Sequence, residues 1–449
     1  MAIPAAAPTF GELIRALDEG NKQFKAMEQI TSPTDNGKYR HWDTIRRMQP
    51  PEGLTHEGWW LGLKFRRSAS AKHLSFLAKD GTPFQFSIVD PIPEKLHALD
   101  LSSGGVIGSA PKVLNADTRD RYYISSLMEE AITSSQLEGA ATTTQVARDM
   151  LSNDRAPRNR DEQMIFNNYI TMRKIGEERD APLTMDRVFE IHRLITQDTL
   201  DNPGAAGRFR TDEDGSVYVH DRMTGEIQHR PPDAATLNGR IQLLCKFANG
   251  LGEEGFVHPV LRAIIVHFML AYDHPFVDGN GRTARALFYW TMLHHGYWLF
   301  EFLTISPLLK KSPGRYARAF LYTETDENDL TYFILHQLDV ISKARGALDA
   351  YIARKTRQQG VVDMKLRGQV RLNHRQVALL SHAVRHPTHR YNITSHQTRH
   401  GVAYQTARTD LFGLHDKGLI TRSKIGKTYF FNPVANLEKA LEELGAAGG

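Results

Sequence analysis

The stretch "HPFVDGNGRTAR", residues 274–285, places a histidine, a carboxylate, a Gly-Asn-Gly turn and two arginines within twelve positions. The segment before it, "LRAIIVHFMLAYD", has the apolar spacing of an amphipathic helix, and Pro275 disfavours a helical conformation at the residue that precedes it. The segment "RTARALFYWTMLHH" predicts a second helix directly after the turn. We therefore expect two helices joined by a short loop, with the polar cluster in the loop and in the first turn that follows.

The Gly-Asn-Gly turn predicts a binding site for an anion. The backbone N–H groups of Gly279, Asn280 and Gly281 would lie at the N-terminus of the second helix, where the helix dipole favours negative charge. The two glycines allow a phosphate to approach the backbone closely. Arg282 and Arg285 would project from one face of the first turn, where their guanidinium groups suit phosphate oxygens.

Two further side chains in this stretch indicate a reaction at the phosphate. Asp278 would repel a bare phosphate, and a bridging Mg²⁺ resolves this conflict because the metal takes a carboxylate together with phosphate oxygens. His274, with an ordinary pKa of about 6.5, can accept a proton near neutral pH. Together the groups indicate phosphoryl or nucleotidyl transfer. The alternative is a structural helix cap with surface arginines, which an isolated "GNGR" would favour.

The same stretch resembles the signature of the Fic (Fido) family, HPF-x-(D/E)-GNGR-x-x-R, and agrees with it at every specified position. The resemblance implies a mainly α-helical domain, to which the helical pattern of about residues 121–350 corresponds. It also implies an enzyme that moves AMP from ATP onto a Ser, Thr or Tyr hydroxyl of a protein. Asp273 departs from the family, because an apolar residue is commoner before the histidine, and this could alter the local charge.

The resemblance implies a role for each residue of the signature. His274 would be the general base, and Asp278 would hold Mg²⁺ between the α- and β-phosphates of ATP. Residues 279–281 would form the anion hole. Arg282 would bind the α- and β-phosphates, and Arg285 would bind the γ-phosphate.

A second motif, "SSQLEG" at residues 134–139, resembles the inhibitory motif of this family, (S/T)-x-x-x-E-(G/N), which begins here at Ser134. The resemblance implies that Glu138 reaches Arg285 and blocks the site of the γ-phosphate. A carboxylate there would compete for the guanidinium group and repel the incoming anion. The alternative is an ordinary exposed glutamate on a helix. We therefore expect an autoinhibited enzyme, and removal of AMP from a modified protein stays open as a reverse activity.

The segment at residues 216–232 predicts a small β-hairpin among the helices. By resemblance it is the flap that docks the target protein by strand addition, with the target itself unknown. Tyr316 resembles an aromatic residue that lines the adenine pocket, with core packing as the alternative. We expect packed structural roles for His192, His220 and His267.

The sequence predicts three regions, namely a mixed α/β region at 1–110, a Fic domain at 111–355 and a winged helix-turn-helix domain at 364–449. In the first region, "EGWWLGLKFRR" and "TPFQFSIVDPIP" alternate as half-buried strands do, with "KDGT" as a turn. The adjacent Trp59 and Trp60 favour core packing over a binding surface.

The C-terminal region shows three helical segments followed by two short strands around "SKIGK", a pattern typical of a winged helix-turn-helix. Positions 364–431 hold twelve Lys or Arg against two acidic residues, which allows an anionic partner such as DNA. Gln405, Thr406 and Arg408 would head the recognition helix, with Lys424 and Lys427 in the wing. A protein-interaction or dimerisation module, and with it a homodimer, stays open.

The competing hypothesis is a DNA-binding transcriptional regulator whose Fic domain only senses nucleotide. The presence of both His274 and Asp278 favours the enzyme, because a sensor could lose the base and still bind ATP. Transfer of another phosphate-containing group also stays open, although both arginines and Glu138 favour a triphosphate donor.

The composition of the sequence limits the class of protein and its location. The 449 residues are too many for a single ordinary core, and 41% hydrophobic with 24% charged residues is typical of a soluble globular protein. Cys245 is the only cysteine and cannot form an internal disulfide, which favours a reducing compartment and predicts a cytoplasmic location. No secretory signal starts the sequence and no apolar stretch approaches the roughly 20 residues of a membrane span, so no membrane partner is expected.

Overall fold

A computed structural model describes residues 2–16, 20–103, 116–215, 217–221, 224–252, 255–367, 372–385, 389–425, 428–437 and 439–441. The chain is mainly α-helical with small antiparallel sheets, as the sequence predicts. It divides into two units, one of residues 1–112 and 119–346 and the other of residues 113–118 and 347–449. The N-terminal region and the central helices thus share one unit, and the domain boundaries drawn from the sequence stay predictions.

The N-terminal part of the first unit combines helices with one hairpin. Its elements are α1 (Phe10–Ala16), α2 (Gly20–Gln29), α3 (Trp42–Ile45), α4 (His56–Ser70), β1 (Ala71–Leu77), β2 (Pro83–Ser87) and α5 (Ile92–Ser103). Strands β1 and β2 pair antiparallel across the predicted turn.

One strand prediction was wrong, because "EGWWLGLKFRR" lies inside helix α4. Thr55 caps this helix, since its side chain accepts a hydrogen bond from the N–H of Gly58. The helix is buried on nearly every side from position 58 to 64, so its apolar residues show no helical period. The packing role predicted for Trp59 and Trp60 is confirmed by their burial.

The central part of the first unit carries the helices on either side of the signature. Its elements are α6 (Ala116–Leu137), α7 (Thr144–Ser152), α8 (Arg160–Glu177), α9 (Met185–Thr196), β3 (Val219–His220), β4 (Ile227–His229), α10 (Leu237–Ala248), α11 (Pro259–Asp273), α12 (Asn280–His294), α13 (Ser306–Lys311), α14 (Pro313–Glu324) and α15 (Thr331–Arg367). The first three residues of α6 and the part of α15 from position 347 onward belong to the second unit. Helices α11 and α12 are buried along almost their whole length, which makes them the centre of this unit.

The hairpin predicted among the helices is present as strands β3 and β4, which pair antiparallel with Val219 opposite His229. Of the predicted flap, positions 216, 222 and 223 lie outside the described residues. Cys245 on α10 is buried. Within the described ranges, no helix has both the length and the apolar character needed to cross a bilayer.

The second unit contains α16 (His374–Arg385), β5 (Tyr391–Asn392), α17 (Ile393–His400), α18 (Tyr404–Asp416), β6 (Ile420–Ile425) and β7 (Thr428–Pro433). The strands form one antiparallel sheet in the order β5-β7-β6. Ala407, Leu411 and Leu414 share the buried face of α18, whereas Gln405 and Arg408 are exposed and Thr406 is half-buried. Lys427 of the predicted wing lies outside the described residues.

Candidate active site

His274 lies directly after helix α11 and adopts a left-handed backbone conformation with φ of 44°, which ends the helix. Its Nδ1 lies 3.3 Å from the carbonyl oxygen of Ala271. Because a carbonyl oxygen only accepts, Nδ1 carries the proton and Nε2 keeps a free lone pair. Burial lowers the pKa of His274 to about 4, and the charges of His229 and Arg210 act in the same direction. The imidazole is therefore neutral at pH 7, the form a general base needs.

The side chains of Asn280 and His192 hold the loop after His274 in its conformation. The Asn280 amide accepts a hydrogen bond from the N–H of Phe276 at 2.9 Å and donates one to its carbonyl oxygen at 2.8 Å. The ring of His192 stacks on Phe276 with centroids 3.7 Å apart, and its Nε2 lies 2.9 Å from the carbonyl oxygen of Asp278. Asn280 thus has only its backbone N–H left for the predicted anion hole.

Both glycines of the turn occupy positions that a side chain would obstruct. Gly279 has φ of 81°, and a Cβ there would lie 2.8 Å from Cγ2 of Thr196. A Cβ on Gly281 would lie 2.1 Å from Oε1 of Glu138. The first N–H groups of α12 have no acceptor within their own helix, so this end of α12 can bind an anion. Glu138 is the anionic group that lies there.

Arg282 is fully buried, and its donors are only partly used. Its Nη1 donates to the carbonyl oxygen of Ile195 at 3.1 Å, and its Nη2 lies 3.5 Å from Oδ2 of Asp278. Within the part of the chain that the structure describes, Nε and Nη2 have no hydrogen-bond partner. A buried guanidinium group with unused donors is costly, and an anion that accepts from them would remove this cost.

Arg285 is brought together with both residues of the second motif. Its Nε donates to Oγ of Ser134 at 2.8 Å, and its Nη2 donates to the Ser134 carbonyl oxygen at 3.0 Å and to Oε1 of Glu138 at 2.8 Å. Glu138 follows the last residue of α6, where the helix dipole disfavours a carboxylate. Burial lowers the pKa of Arg285, but the charge and hydrogen bond of Glu138, together with Tyr316 and Glu130, offset this and the pKa is raised.

Asp278 is the most accessible member of the cluster, with its side chain 42% exposed. Its Oδ1 accepts from the N–H of Gly279 at 2.6 Å, and its Oδ2 lies 3.5 Å from Nη2 of Arg282 and 3.9 Å from Nη2 of Arg160. No group of three or more His, Cys, Asp or Glu side chains that could hold a metal occurs in the described ranges. A single carboxylate fits Mg²⁺ only where phosphate oxygens and water complete its coordination.

Tyr316 contacts a buried aromatic cluster. Its hydroxyl lies 2.8 Å from Nε2 of His267, and its ring packs near Phe320 and Phe333. Burial raises the pKa of Tyr316 to about 12, against the charge of Arg285. These contacts fit the packing alternative, and a place beside adenine stays a prediction. The expected packing of His267 is confirmed by its complete burial, and that of His192 likewise.

The packed role predicted for His220 was wrong, because this residue is exposed. Its Nδ1 lies 3.1 Å from the carbonyl oxygen of Gly225, and its ring lies near that of Tyr218. Sequence reasoning also missed Arg210, whose Nε donates to the carbonyl oxygen of His274 at 2.9 Å. Its Nη2 donates to the carbonyl oxygen of Pro232, and its own N–H donates to that of Pro275. These partners are distant in sequence, so no local pattern indicates them.

Comparison with known proteins places this geometry in a family. Residues 182–292 match the model of the Fic/DOC family, a range that includes the signature stretch and helices α9 to α11. Residues 182–292 are therefore similar to the Fic/DOC domain. The match does not extend to Ser134, Glu138 or Tyr316.

Two curated relatives of this chain are both named protein adenylyltransferase Fic. The one from Nematostella vectensis is 27% identical over 179 residues, which are 40% of this chain and 36% of the relative. The one from Drosophila mojavensis is 35% identical over 117 residues, which are 26% of this chain and 20% of the relative. The chain therefore spans well under half of the length of these relatives.

A solved structure of a Fic family protein from Desulfovibrio desulfuricans G20 is similar over most of the chain. Its TM-score is 0.50 with 18% sequence identity, over 78% of this chain and 97% of that chain. At this level of identity, the likeness supports the Fic fold.

Proposed function

We propose that this chain is an autoinhibited protein adenylyltransferase, which transfers AMP from ATP to a Ser, Thr or Tyr hydroxyl of a protein. One observation carries the proposal. The carboxylate of Glu138 lies over Gly281 and binds Arg285 at 2.8 Å, at a helix N-terminus beside the buried and unsatisfied Arg282. If Glu138 and a nucleotide phosphate compete for this anion site, the binding of the nucleotide is regulated by the position of Glu138. The names of the two curated relatives support the reaction type.

In the proposed reaction, the target hydroxyl oxygen bonds to the α-phosphorus of ATP. The bond from that phosphorus to the oxygen that bridges to the β-phosphate breaks, and pyrophosphate leaves. Nε2 of His274 takes the hydroxyl proton, because Nδ1 is already protonated against Ala271. General-base assistance of this kind contributes about 10²–10⁴-fold to a rate.

Phosphate binding would use the residues at the start of α12. Arg282 would offer its unused Nε and Nη2 to the inner phosphates, and the N–H groups of residues 279–281 would bind the same oxygens. Arg285 would bind the γ-phosphate after Glu138 leaves. Mg²⁺ held by Asp278 would neutralise part of the phosphate charge.

Glu138 would act as the inhibitor because it uses the same donor that the γ-phosphate needs. Two negative groups cannot share Arg285 without strong repulsion, so ATP has to displace Glu138 or bind without its γ-phosphate contact. Ser134 would remain bonded to Arg285 and hold the guanidinium in place. The same carboxylate could support removal of AMP from a modified protein, and the labelled product can be tested for this reverse reaction.

The target protein would dock on the β3–β4 hairpin, where an edge strand offers backbone hydrogen bonds for strand addition. The modified residue is a hydroxyl-bearing side chain whose oxygen reaches His274. The chain itself is the first target to test, because self-modification needs no partner.

Incubation of the wild type and Glu138→Gly with α-labelled ATP and Mg²⁺ tests the proposal. We expect protein-bound label in Glu138→Gly and little in the wild type, with the modified residue identified by mass spectrometry. Label from γ-labelled ATP instead would indicate phosphate transfer, and no label from either would remove the proposed activity.

A second candidate function, DNA binding by the second unit, is favoured by a basic stripe on α18 and β6. Arg408 and Arg422 lie over the ring of Phe412 at 5.1 and 5.2 Å, and Lys424 lies 5.5 Å from the ring of Tyr429. The acidic Asp410 on the same helix is buried and ion-paired, so it does not oppose the stripe. These cations suit phosphates of a duplex.

Binding of the full chain to duplex DNA at several salt concentrations tests this second candidate. Arg408→Ala and Arg422→Ala should each weaken binding and reduce the salt slope by about one. Arg173→Ala, which removes an exposed arginine from α8, should leave binding unchanged. Absence of binding at low salt would favour a protein-interaction module.

A further inference from the structure

His229, on strand β4, is buried and has both ring nitrogens against oxygen acceptors. Its Nδ1 lies 2.6 Å from Oε2 of Glu324, and its Nε2 lies 2.7 Å from the carbonyl oxygen of Tyr272. A carbonyl oxygen and an ionised carboxylate accept hydrogen bonds and cannot donate them. When Glu324 carries its negative charge, both nitrogens have to donate, and the ring is then an imidazolium cation.

This one cation joins three elements around the candidate active site. It belongs to the β3–β4 hairpin, Glu324 is the last residue of α14, and Tyr272 lies in the last turn of α11. The ring also packs on that of Tyr272, with centroids 4.7 Å apart. Since His274 follows Tyr272 by two residues, the bond from His229 fixes the hairpin to the end of the helix that presents the proposed base.

The charges around His229 favour its cationic form. Burial lowers the pKa of His229, but the hydrogen bond and charge of Glu324 more than offset this and the pKa is raised. Asp273 on α11 adds a second negative charge, although Arg240 binds its Oδ1 at 2.6 Å. Arg210, which binds the carbonyl oxygen of His274 and lies near Asp273, is a cation that opposes the charge on His229. His274 itself is neutral above a pH of about 4.

We propose that His229 is a proton-dependent clamp, a positioning residue that holds the β3–β4 hairpin against the end of α11 and loosens it when the ring loses one proton. A neutral ring can donate to Glu324 or to Tyr272 but not to both, so one of the two buried bonds is lost. The consequence for target docking rests on the proposed function of the hairpin, whereas the clamp itself does not.

The direction of the pH dependence follows from the raised pKa. The clamp is complete below the ordinary histidine pKa of about 6.5 and is lost as the pH rises through the higher pKa of the folded protein. The hairpin should therefore be held firmly near pH 6 and loosen as the pH rises through the raised pKa of His229.

Hydrogen exchange of the full chain, measured between about pH 6 and about pH 9, tests the clamp through the protection factors of the β3 and β4 amides. In the wild type we expect protection to fall by about tenfold or more as the pH rises, the effect of one buried charged hydrogen bond. His229→Gln should show low protection at every pH. His220→Gln, on the same hairpin but exposed, should match the wild type.

Protection in the wild type that does not change with pH would overturn the clamp, as would full protection in His229→Gln. Nitrogen chemical shifts of the wild-type imidazoles give a test that needs no variant. Two protonated nitrogens on His229 are expected at about pH 6, and a neutral ring at that pH would contradict the proposal. Neither measurement uses ATP, so the clamp can fail while adenylylation holds, and adenylylation can fail while the clamp holds.

Discussion

Replacement of Glu138 by glycine should raise the apparent affinity for ATP by about ten- to 150-fold. The bond from Arg285 to Glu138 is short, and the guanidinium group is almost fully buried. A hydrogen bond to a charged group contributes about 1.5–3 kcal/mol. If the closed form is favoured by this amount, the form open to the γ-phosphate makes up about one part in ten to one part in 150, and the affinity is reduced by the same factor.

Titration calorimetry of wild type and Glu138→Gly with ATP and Mg²⁺ measures this ratio, and the initial rate of labelling should rise in step with it. Glu129→Ala is the matched control, because it removes an exposed carboxylate from α6, the helix that Glu138 follows. A glycine at position 138 follows the last residue of α6, so it interrupts no helical turn. ATP should also raise the melting temperature of Glu138→Gly more than that of the wild type, because it replaces the lost partner of Arg285.

Equal ATP affinities in the wild type and Glu138→Gly would refute this reasoning, because they would mean that Glu138 does not compete with the nucleotide. An equal gain in Glu129→Ala would refute it too, since the effect would then come from net charge. A gain in ATP affinity without protein labelling would support the competition between Glu138 and ATP but contradict the proposed transfer of AMP.

Four further predictions follow from the same geometry. His274→Ala in the Glu138→Gly background should abolish labelling while the ATP affinity measured by calorimetry stays within about twofold. In Glu138→Gly, kcat/KM should stay level on the acid side until the pH approaches about 4, because His274 keeps its neutral form down to that pH, and an acid limb near the ordinary histidine pKa would contradict this. Arg282→Ala in that background should weaken ATP binding by about ten- to 100-fold, because a charged bidentate donor to phosphate is lost. Asn280→Ala should lower the free energy of unfolding in urea by about 2–4 kcal/mol, because it leaves the N–H and C=O of Phe276 buried without partners.

The helix and loop around residues 274–285 could be predicted because their determinants are adjacent in sequence. Pro275 and the Gly-Asn-Gly turn separate two long apolar patterns, and the structure has a helix end at Asp273 and a helix start at Asn280. The contact of Glu138 with Arg285 was expected from the resemblance alone, since no periodicity links positions 147 residues apart.

Other features depend on contacts that a local pattern does not contain. Helix α4 was read as a strand, because a helix buried on nearly every side loses the apolar period that identifies it. The Asn280 side chain binds the backbone of Phe276 across the loop. The residue type of Asn280 alone does not indicate this contact. His229 binds the carbonyl oxygen of Tyr272, and Arg210 binds that of His274. Both pairs are far apart in sequence, so only the folded chain brings them together.

The central claim is that the start of α12 binds a nucleotide whose α-phosphate lies within reach of His274. A crystal structure of Glu138→Gly with Mg²⁺ and a nonhydrolysable ATP analogue tests it most directly. The account predicts the triphosphate against residues 279–281, Arg282 and Arg285, with the α-phosphorus facing Nε2 of His274. A nucleotide bound elsewhere, or a start of α12 that stays closed by its own side chains, would contradict it.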